Sequence, residues 1–220
     1  HGPVNVAHAL EVSCNYFFYE LAYRFGNRAN DTTEQGISTL NEYMAAFGLN
    51  DKTGIEIGES SPMMATPTHK ERSIRSINPN ASQSQVQWTD ADSIRTYIGQ
   101  SVNNYAPIHM TKYIATLANG GTRYKMHLVS KLVNADGSTT QKIDEVVENI
   151  LELQPQNLDI VHQGMLLVTS GQKGTLRAIF RDFPIQVAAK SGTAEEDKSR
   201  SSHSWFVCFA PYDDPQIAIT

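Results

Sequence analysis

The fold class is decided by residues 185–220, which read IQVAAKSGTAEEDKSRSSHSWFVCFAPYDDPQIAIT. Three stretches of this segment are rich in β-branched, aromatic and small apolar residues, and polar or proline-containing turns separate them, which is the pattern of antiparallel strands. We predict strands at Ile185–Ser191, Ser204–Ala210 and Gln216–Thr220. Since helical patterns dominate the chain before them, we expect an α+β fold in which an antiparallel sheet packs with helices.

Helical patterns fill much of the chain before this segment. Apolar residues recur there at helical spacing, and glycines such as Gly26 and Gly48 end individual stretches. No internal repeat or linker interrupts the pattern, so residues 1–220 are expected to form a single domain. Helices are predicted over residues 4–12 and 16–25, from Asp31–Glu34 to Gly48, from Pro107 to Ala118, and over residues 158–168.

Less regular segments lie between these helices. Ser, Gln, Asn, Pro and Thr dominate residues 54–92, where a long irregular stretch is predicted. Two β-like runs, His127–Val133 and Val146–Leu153, flank a turn at Asn134–Gly137. The charged stretch Glu195–Arg200 is interpreted as a solvated turn, with a gate over a neighbouring cleft as the alternative.

The composition excludes several classes of protein. The chain is 40% apolar and 19% charged, which is typical of a globular domain and not of a disordered one. The net charge of −5 gives no reason to expect nucleic acid as a partner, and no apolar run is long enough to span a bilayer. Two cysteines and seven scattered histidines form no disulfide framework and no metal-ligand spacing, so no cofactor and no metal site are expected.

Both ends of the sequence suggest a fragment. The chain starts at His1-Gly2-Pro3 without an initiating Met, and it stops inside the predicted strand Gln216–Thr220. A natural domain rarely ends inside an apolar strand without a following turn. We therefore expect a piece of a longer protein, truncated at both ends.

Two short motifs carry the most chemical information. Lys190-Ser191-Gly192-Thr193 lies at the end of the first predicted strand. The lysine supplies a positive charge, the hydroxyls can bond a substrate carboxylate, and the glycine lets a substrate backbone lie beside the strand. The second motif, Ser13-Cys14-Asn15, lies between two predicted helices, where a hydroxyl and an amide can relay a proton and hold a substrate amide.

Each motif also has an ordinary structural explanation. Ser-x-Asn occurs again at Ser76 and at Ser101, and a serine such as Ser13 is commonly a helix cap. Lys190 by itself is equally well explained as a solvated lysine in a turn after a strand. The functional interpretation therefore requires that Ser13 and Lys190 face each other across one groove.

Taken together, these motifs resemble the transpeptidase domain of penicillin-binding proteins, which uses Ser-x-x-Lys, Ser-x-Asn and Lys-Thr/Ser-Gly motifs. The resemblance covers essentially the whole chain and is closest to the class B type. It implies the penicillin-binding/β-lactamase-like transpeptidase fold, with this chain as the central to C-terminal part of the domain. The matching segments, in the order of the family, are Ala9–Phe17, Ile98–Gln100, Ala106–Met110, Leu117–Gly121, Ala189–Glu195, Trp205–Val207 and Ala210-Pro211.

The nucleophile motif departs from the family pattern. Ser-x-x-Lys should precede Ser13, but the chain contains this pattern only at Ser170-Gly171-Gln172-Lys173. That match follows the second motif and lies at a predicted helix end, so we interpret it as a chance match. The fragment is therefore expected to lack its nucleophile and to be inactive by itself.

The resemblance implies a role for each candidate site residue. An upstream serine would attack the substrate amide, and Ser13 would pass the proton toward the leaving amine. Asn15 would hold the substrate amide, and Lys190 would keep the site electropositive. The backbone N–H of Thr193 would form half of the oxyanion hole. The residues expected to bind the terminal carboxylate of the substrate and to leave room for it are Ser191, Gly192 and Thr193.

For the full-length protein, the resemblance implies a serine D-Ala-D-Ala transpeptidase or carboxypeptidase of cell-wall and cell-shape synthesis. It would cross-link peptidoglycan stem peptides through an acyl-enzyme, bind β-lactam antibiotics, and work with cell-division or elongation proteins. Its expected place is the extracytoplasmic face of the bacterial cell membrane, where an N-terminal helix would anchor it. The alternatives are a β-lactamase or β-lactam sensor of the same fold, a non-catalytic pseudoenzyme scaffold, and an unrelated α+β binding domain.

Overall fold

The computed structural model describes residues 1–27, 33–195 and 201–220, and it confirms the α+β prediction. The helices are α1 (Val6–Glu11), α2 (Asn15–Asn27), α3 (Thr33–Ala46), α4 (Pro67–Ile77), α5 (Gln83–Val86), α6 (Asp90–Thr96), α7 (Pro107–Ala118), α8 (Pro155–Ser170) and α9 (Arg177–Phe180). The strands are β1 (Thr122–Tyr124), β2 (Lys131–Val133), β3 (Thr139–Lys142), β4 (Val147–Ile150), β5 (Ala188–Ala194), β6 (His203–Ala210) and β7 (Ile217–Ile219).

The main sheet is antiparallel, with the strand order β5-β6-β7. Lys190 is opposite Val207 in the β5–β6 pair, and Cys208 is opposite Ile219 in the β6–β7 pair. Strand β5 spans Ala188–Ala194, whereas the sequence analysis predicted this strand at Ile185–Ser191. This shift matters because Gly192 and Thr193 therefore belong to β5 itself and do not follow it.

Helices α7 and α8 pack against this sheet and form the core with it. Ile114 and Leu117 of α7 and Met165 of α8 contact Ala188 and Phe209 of the strands, and all five residues are buried. Removal of this apolar surface from water is the main force that holds the helices to the sheet. The sheet that carries Lys190 therefore has a rigid support on its helical face.

Helix α8 also connects the sheet to the beginning of the chain, because it packs against both β5 and α1. Gly164 allows α1 to approach closely: a Cβ atom at this position would lie only 3.0 Å from the Cα atom of Ala7. On its other side, the Thr169 hydroxyl of α8 donates a hydrogen bond of 2.6 Å to the carbonyl of Val187. One helix thus fixes the position of α1 relative to β5.

The two β-like runs do not pair with each other. Strand β2 pairs instead with β3, which follows the turn at Asn134–Gly137 directly, and β4 pairs with β1. The hairpin closes with the Asn134 N–H bonded to the Ser138 carbonyl at 2.8 Å. Since β3 pairs with β2, the second β-like run, which forms β4, pairs with β1 instead.

The prediction of an irregular stretch over residues 54–92 is wrong where α4 and α5 form. Helix α4 begins because the Thr66 side chain caps the His69 N–H and because Pro67 suits the first helical turn. No residue of α4 is buried, and only Ile74 and Ile77 among its eleven residues are large and apolar, so its sequence is dominated by polar residues.

Other helix predictions differ from the structure in their bounds. Helix α1 spans Val6–Glu11, and α2 continues through Gly26 to Asn27. The predicted start of the third helix at Asp31–Glu34 and the predicted turn or gate at Glu195–Arg200 lie largely outside the described residues. Within the described ranges, the structure contains no helix with the length and apolarity needed to cross a bilayer.

Candidate active site

Ser13 lies in the tight connection between α1 and α2. Its φ angle of 51° is left-handed, and the N–H of Cys14 bonds back to the carbonyl of Ala9 at 2.9 Å to close the end of α1. A left-handed conformation costs a residue other than glycine roughly 1–2 kcal/mol, and such residues concentrate at functional sites. The chain thus holds an exposed serine in a strained turn although glycine would fit the backbone better.

Lys190 of β5 reaches this serine. Its Nζ atom donates a hydrogen bond of 2.9 Å to the Ser13 Oγ atom and another of 2.6 Å to the Ser191 carbonyl. Burial lowers the pKa of Lys190 below the ordinary lysine value, because the surrounding protein solvates the ammonium less well than water does. A cation that releases its proton more easily therefore lies in direct contact with a hydroxyl group.

The residues after Lys190 line the same strand. The Ser191 Oγ and Thr175 Oγ1 atoms lie 3.3 Å apart, and Thr193 is exposed with its carbonyl bonded to the Gln100 Nε2 atom at 2.8 Å. A Cβ atom added to Gly192 would meet only the Trp205 side chain, at an ordinary 3.6 Å. Within the described residues, neither the backbone conformation nor the packing requires glycine at position 192. A glycine at this position leaves the space above the strand open.

Asn15 begins α2, two residues after Ser13, and its side chain is exposed. Its amide forms no hydrogen bond within the described part of the chain, so the structure does not join it directly to Lys190. The amide is therefore available to an incoming ligand.

The structure adds a buried support that the sequence analysis missed. Glu11, the last residue of α1, is 5% exposed, and its Oε1 atom accepts a hydrogen bond of 2.9 Å from the Lys173 N–H. The same turn after α8 presents Thr175 to Ser191. The one signal in the sequence was a carboxylate placed among the apolar residues just before Ser13. For Thr175 no local signal existed. Gln100 lies in the segment Ile98–Gln100 that resembles the family, but that segment carries no information about its contact with Thr193, 93 positions away.

The Ser170 hydroxyl lies in a different environment. The Ser170 hydroxyl donates to the Leu166 carbonyl of its own helix at 2.9 Å. Ser170 also lines a cavity of about 280 Å³ together with Arg177 and Phe180, and the lining of that cavity includes neither Ser13 nor Lys190. This arrangement agrees with a chance match to Ser-x-x-Lys.

Metal-ligating residue types are dispersed over the part of the chain that the structure describes. No group of three or more His, Cys, Asp or Glu residues is arranged there to hold a metal ion. The groups that the described site presents are the Lys190 ammonium, the Ser13, Ser191 and Thr193 hydroxyls and the Asn15 amide.

Comparisons with known proteins agree with this geometry. The chain is 28% identical over 234 residues to the peptidoglycan D,D-transpeptidase MrdA of Escherichia coli, covering 100% of this chain and 34% of that protein. It is 26% identical to penicillin-binding protein 2B of Streptococcus pneumoniae, covering 99% of this chain and 32% of that protein. The chain thus spans about a third of the length of the curated relatives that it matches.

Solved structures share the fold. The penicillin-binding protein 2B of Streptococcus pneumoniae superimposes with a TM-score of 0.78 at 24% identity, over 99% of this chain and 35% of that one. A penicillin-binding protein of Pseudomonas aeruginosa gives a TM-score of 0.73 at 28% identity, over 98% and 43% of the two chains. The family described as the penicillin binding protein transpeptidase domain matches residues 1–220. The chain therefore belongs to the transpeptidase family of the penicillin-binding proteins.

Proposed function

We propose that this chain contributes most of the active site of a serine D,D-transpeptidase that cross-links peptidoglycan stem peptides ending in D-Ala-D-Ala. The observation that carries the proposal is the 2.9 Å hydrogen bond between the Lys190 Nζ atom and the Ser13 Oγ atom. It joins the two family motifs into one proton-handling unit beside an open strand. We also propose that residues 1–220 belong to one domain, the central to C-terminal part of the transpeptidase domain.

The proposed reaction is an acyl transfer in two steps. A serine nucleophile attacks the carbonyl between the two D-Ala residues, and the bond to the terminal D-Ala amine breaks as that amine receives a proton. Ser13 passes this proton, and Lys190 supplies the adjacent positive charge. The amine of a second stem peptide then attacks the acyl-enzyme and releases the serine.

The remaining site residues bind the substrate. The Ser191 and Thr193 hydroxyls hold the terminal carboxylate, Gly192 leaves room for it, and the Asn15 amide holds the peptide amide. The N–H of Thr193 provides one donor to the oxyanion that forms in the transition state, where such donors contribute most to the rate.

We assign the nucleophile to a segment of the full-length protein outside these 220 residues. Ser170, in the only Ser-x-x-Lys pattern of the sequence, directs its hydroxyl to its own helix and lines another cavity. The 220-residue chain alone is thus expected to stay unmodified by penicillin, while the full-length protein forms an adduct.

The substrate suggests where the full-length protein acts and with what. Stem peptides lie outside the cytoplasmic membrane, so we propose the extracytoplasmic face as its location. The related penicillin-binding protein of Helicobacter pylori forms a complex with MreC. We propose that the full-length protein likewise works with partner proteins of cell-wall synthesis and that β-lactams inhibit it.

Intact-mass spectrometry of the full-length protein treated with benzylpenicillin tests this function. We expect a mass increase of one penicillin that persists for hours, on a serine other than Ser170, with Ser170→Ala as the matched control that keeps the adduct. Rapid hydrolysis of the antibiotic with turnover would point to a β-lactamase instead. The absence of any adduct would point to a pseudoenzyme scaffold, and an adduct on Ser170 would overturn the assignment of the nucleophile.

A further inference from the structure

The carbonyl of Thr193 has a side-chain hydrogen-bond partner from a distant part of the chain. The Gln100 Nε2 atom donates to it at 2.8 Å, although the two residues are 93 positions apart in the chain. Gln100 is half-buried and lies in the connection between α6 and α7, so this contact joins the open strand to the α6–α7 loop.

The backbone of this loop is held firmly. The residues on either side of Gln100 are left-handed, with φ angles of 79° at Gly99 and 76° at Ser101. The Gln100 N–H bonds to the Arg95 carbonyl at 3.0 Å, and the Gln100 carbonyl accepts the Asn103 amide at 3.0 Å. Because both backbone groups of Gln100 are bonded, the loop fixes the backbone position from which the Gln100 side chain reaches the Thr193 carbonyl.

The Thr193 carbonyl belongs to the open edge of β5. Strand β6 pairs with β5 on one side, and no strand among the described residues pairs with the other side. In a β-strand, the N–H and the C=O of one residue point to the same edge of the strand. Since the Thr193 carbonyl bonds to Gln100 outside the sheet, the Thr193 N–H also points to the open edge of β5. These two groups form the donor and acceptor pair that an added antiparallel strand would use.

A peptide-like ligand on this edge would need the same carbonyl. Its own amide N–H would donate to the Thr193 oxygen while the Thr193 N–H binds the ligand carbonyl. In the structure the Gln100 side chain donates its N–H to that same oxygen. The side-chain amide thus stands in for the backbone amide of a ligand.

We infer that Gln100 is a specificity-determining residue that competes with the amide N–H of the ligand for the Thr193 carbonyl. The inference rests on the proposed function, because it concerns the same edge of the same site. Ligands that carry an amide beside their reactive carbonyl must displace or share the Gln100 contact, whereas ligands that lack this amide need not.

Two β-lactams form a matched pair of probes. Benzylpenicillin carries an amide N–H beside its four-membered ring, and penicillanic acid has the same bicyclic ring without that side chain. The experiment measures the second-order rate constant of acylation by each compound in the full-length protein, with Gln100→Ala and Gln100→Met compared to the unchanged sequence. Met has nearly the length of Gln but cannot donate. The control is Gln141→Ala, on the exposed strand β3.

Loss of the competing hydrogen bond is expected to raise the rate constant for benzylpenicillin about threefold to tenfold in both Gln100 variants. The constant for penicillanic acid should stay within about twofold, and Gln141→Ala should change neither. An equal change for both ligands, no change, or a slower reaction with benzylpenicillin would overturn the inference and leave the proposed function standing. Failure of the unchanged protein to react with either compound would refute the proposed function and this inference with it.

Discussion

The Lys190 ammonium donates a 2.9 Å hydrogen bond to the Ser13 hydroxyl across 177 residues of sequence. Helix α8 makes this contact possible because it packs against α1, which precedes Ser13, and against β5, which carries Lys190. The site is therefore sensitive to two kinds of substitution. One kind removes a chemical group from the Lys190–Ser13 pair, and the other disturbs the elements that hold the pair together.

Replacement of Lys190 by Ala in the full-length protein is expected to slow acylation by benzylpenicillin about 10²-fold or more, because the positive charge next to the Ser13 hydroxyl is lost. Lys190→Arg keeps the charge but not the compact ammonium, so it should recover only part of the rate. Stopped-flow measurement of the acylation rate and a thermal unfolding scan check this together. An unchanged rate in Lys190→Ala would contradict the assigned role.

The acylation rate should also decline at alkaline pH. Burial lowers the pKa of Lys190, so the folded protein loses this positive charge below the ordinary value of 10.5. Because the unfolded chain holds the proton more tightly there, the free energy of unfolding should rise with pH between the folded pKa and 10.5. A pH–rate profile measures the midpoint. Lys190→Arg, which keeps its charge, should lack this decline, and an identical profile would exclude Lys190 as its source.

Two substitutions of Ser13 separate its chemistry from its backbone strain. Both Ser13→Ala and Ser13→Gly remove the hydroxyl and should slow acylation similarly. Since the φ angle is 51°, glycine relieves the strain that alanine keeps, and Ser13→Gly should be more stable than Ser13→Ala by about 1 kcal/mol. Urea unfolding compares the two variants. Equal stabilities would show that the left-handed turn is not retained in solution.

Glu11 is expected to be a positioning residue for the turn that follows α8. Glu11→Ala leaves the Lys173 N–H without its carboxylate partner and should lower the free energy of unfolding by about 1–3 kcal/mol. Glu11→Gln keeps an acceptor oxygen and should cost less. Gly171→Ala is a second test, since its Cβ atom would collide with the Glu11 carboxylate and lie 2.7 Å from the Leu167 carbonyl. Urea unfolding that finds all three variants unchanged would refute this role.

His109 should make stability depend on pH below neutrality. Its side chain is buried, and its Nε2 atom lies 3.8 Å from the Glu59 carboxylate, with Lys112 also nearby. Burial lowers the pKa of His109, and the attraction of Glu59 offsets this only in part. As pH falls through 6.5, the unfolded chain takes up the proton first, and the free energy of unfolding decreases.

Urea unfolding at several pH values between about 7.5 and about 5.5 measures this dependence of the free energy of unfolding on pH. His109→Gln should flatten the pH dependence in that range, because it removes the titrating group. A slope that remains the same in the variant would assign the effect to another residue.

Local sequence patterns were sufficient to recognise the last three strands, although not the bounds of β5, and to name the motif residues. The apolar runs and the polar turns within residues 185–220 are properties of neighbouring positions, so they can be recognised without a structure. The motif residues could be named in the same way, because Ser13-Cys14-Asn15 and Lys190-Ser191-Gly192-Thr193 are contiguous. Helix α4 was missed because polar residues dominate it and only Ile74 and Ile77 of its eleven residues are large and apolar.

Only the tertiary structure decided which residues complete the site. The Glu11 contact with the turn after α8, the Thr175 contact with Ser191 and the Gln100 contact with Thr193 all join segments that are distant in the chain. Such contacts depend on how helices pack on the sheet, and the periodicity of a single segment carries no information about its partner. The sequence by itself therefore determined the strands and the motif residues. The packing of α8 between α1 and β5 determined which side chains meet, because that packing fixes the distance between the Ser13 turn and the Lys190 strand.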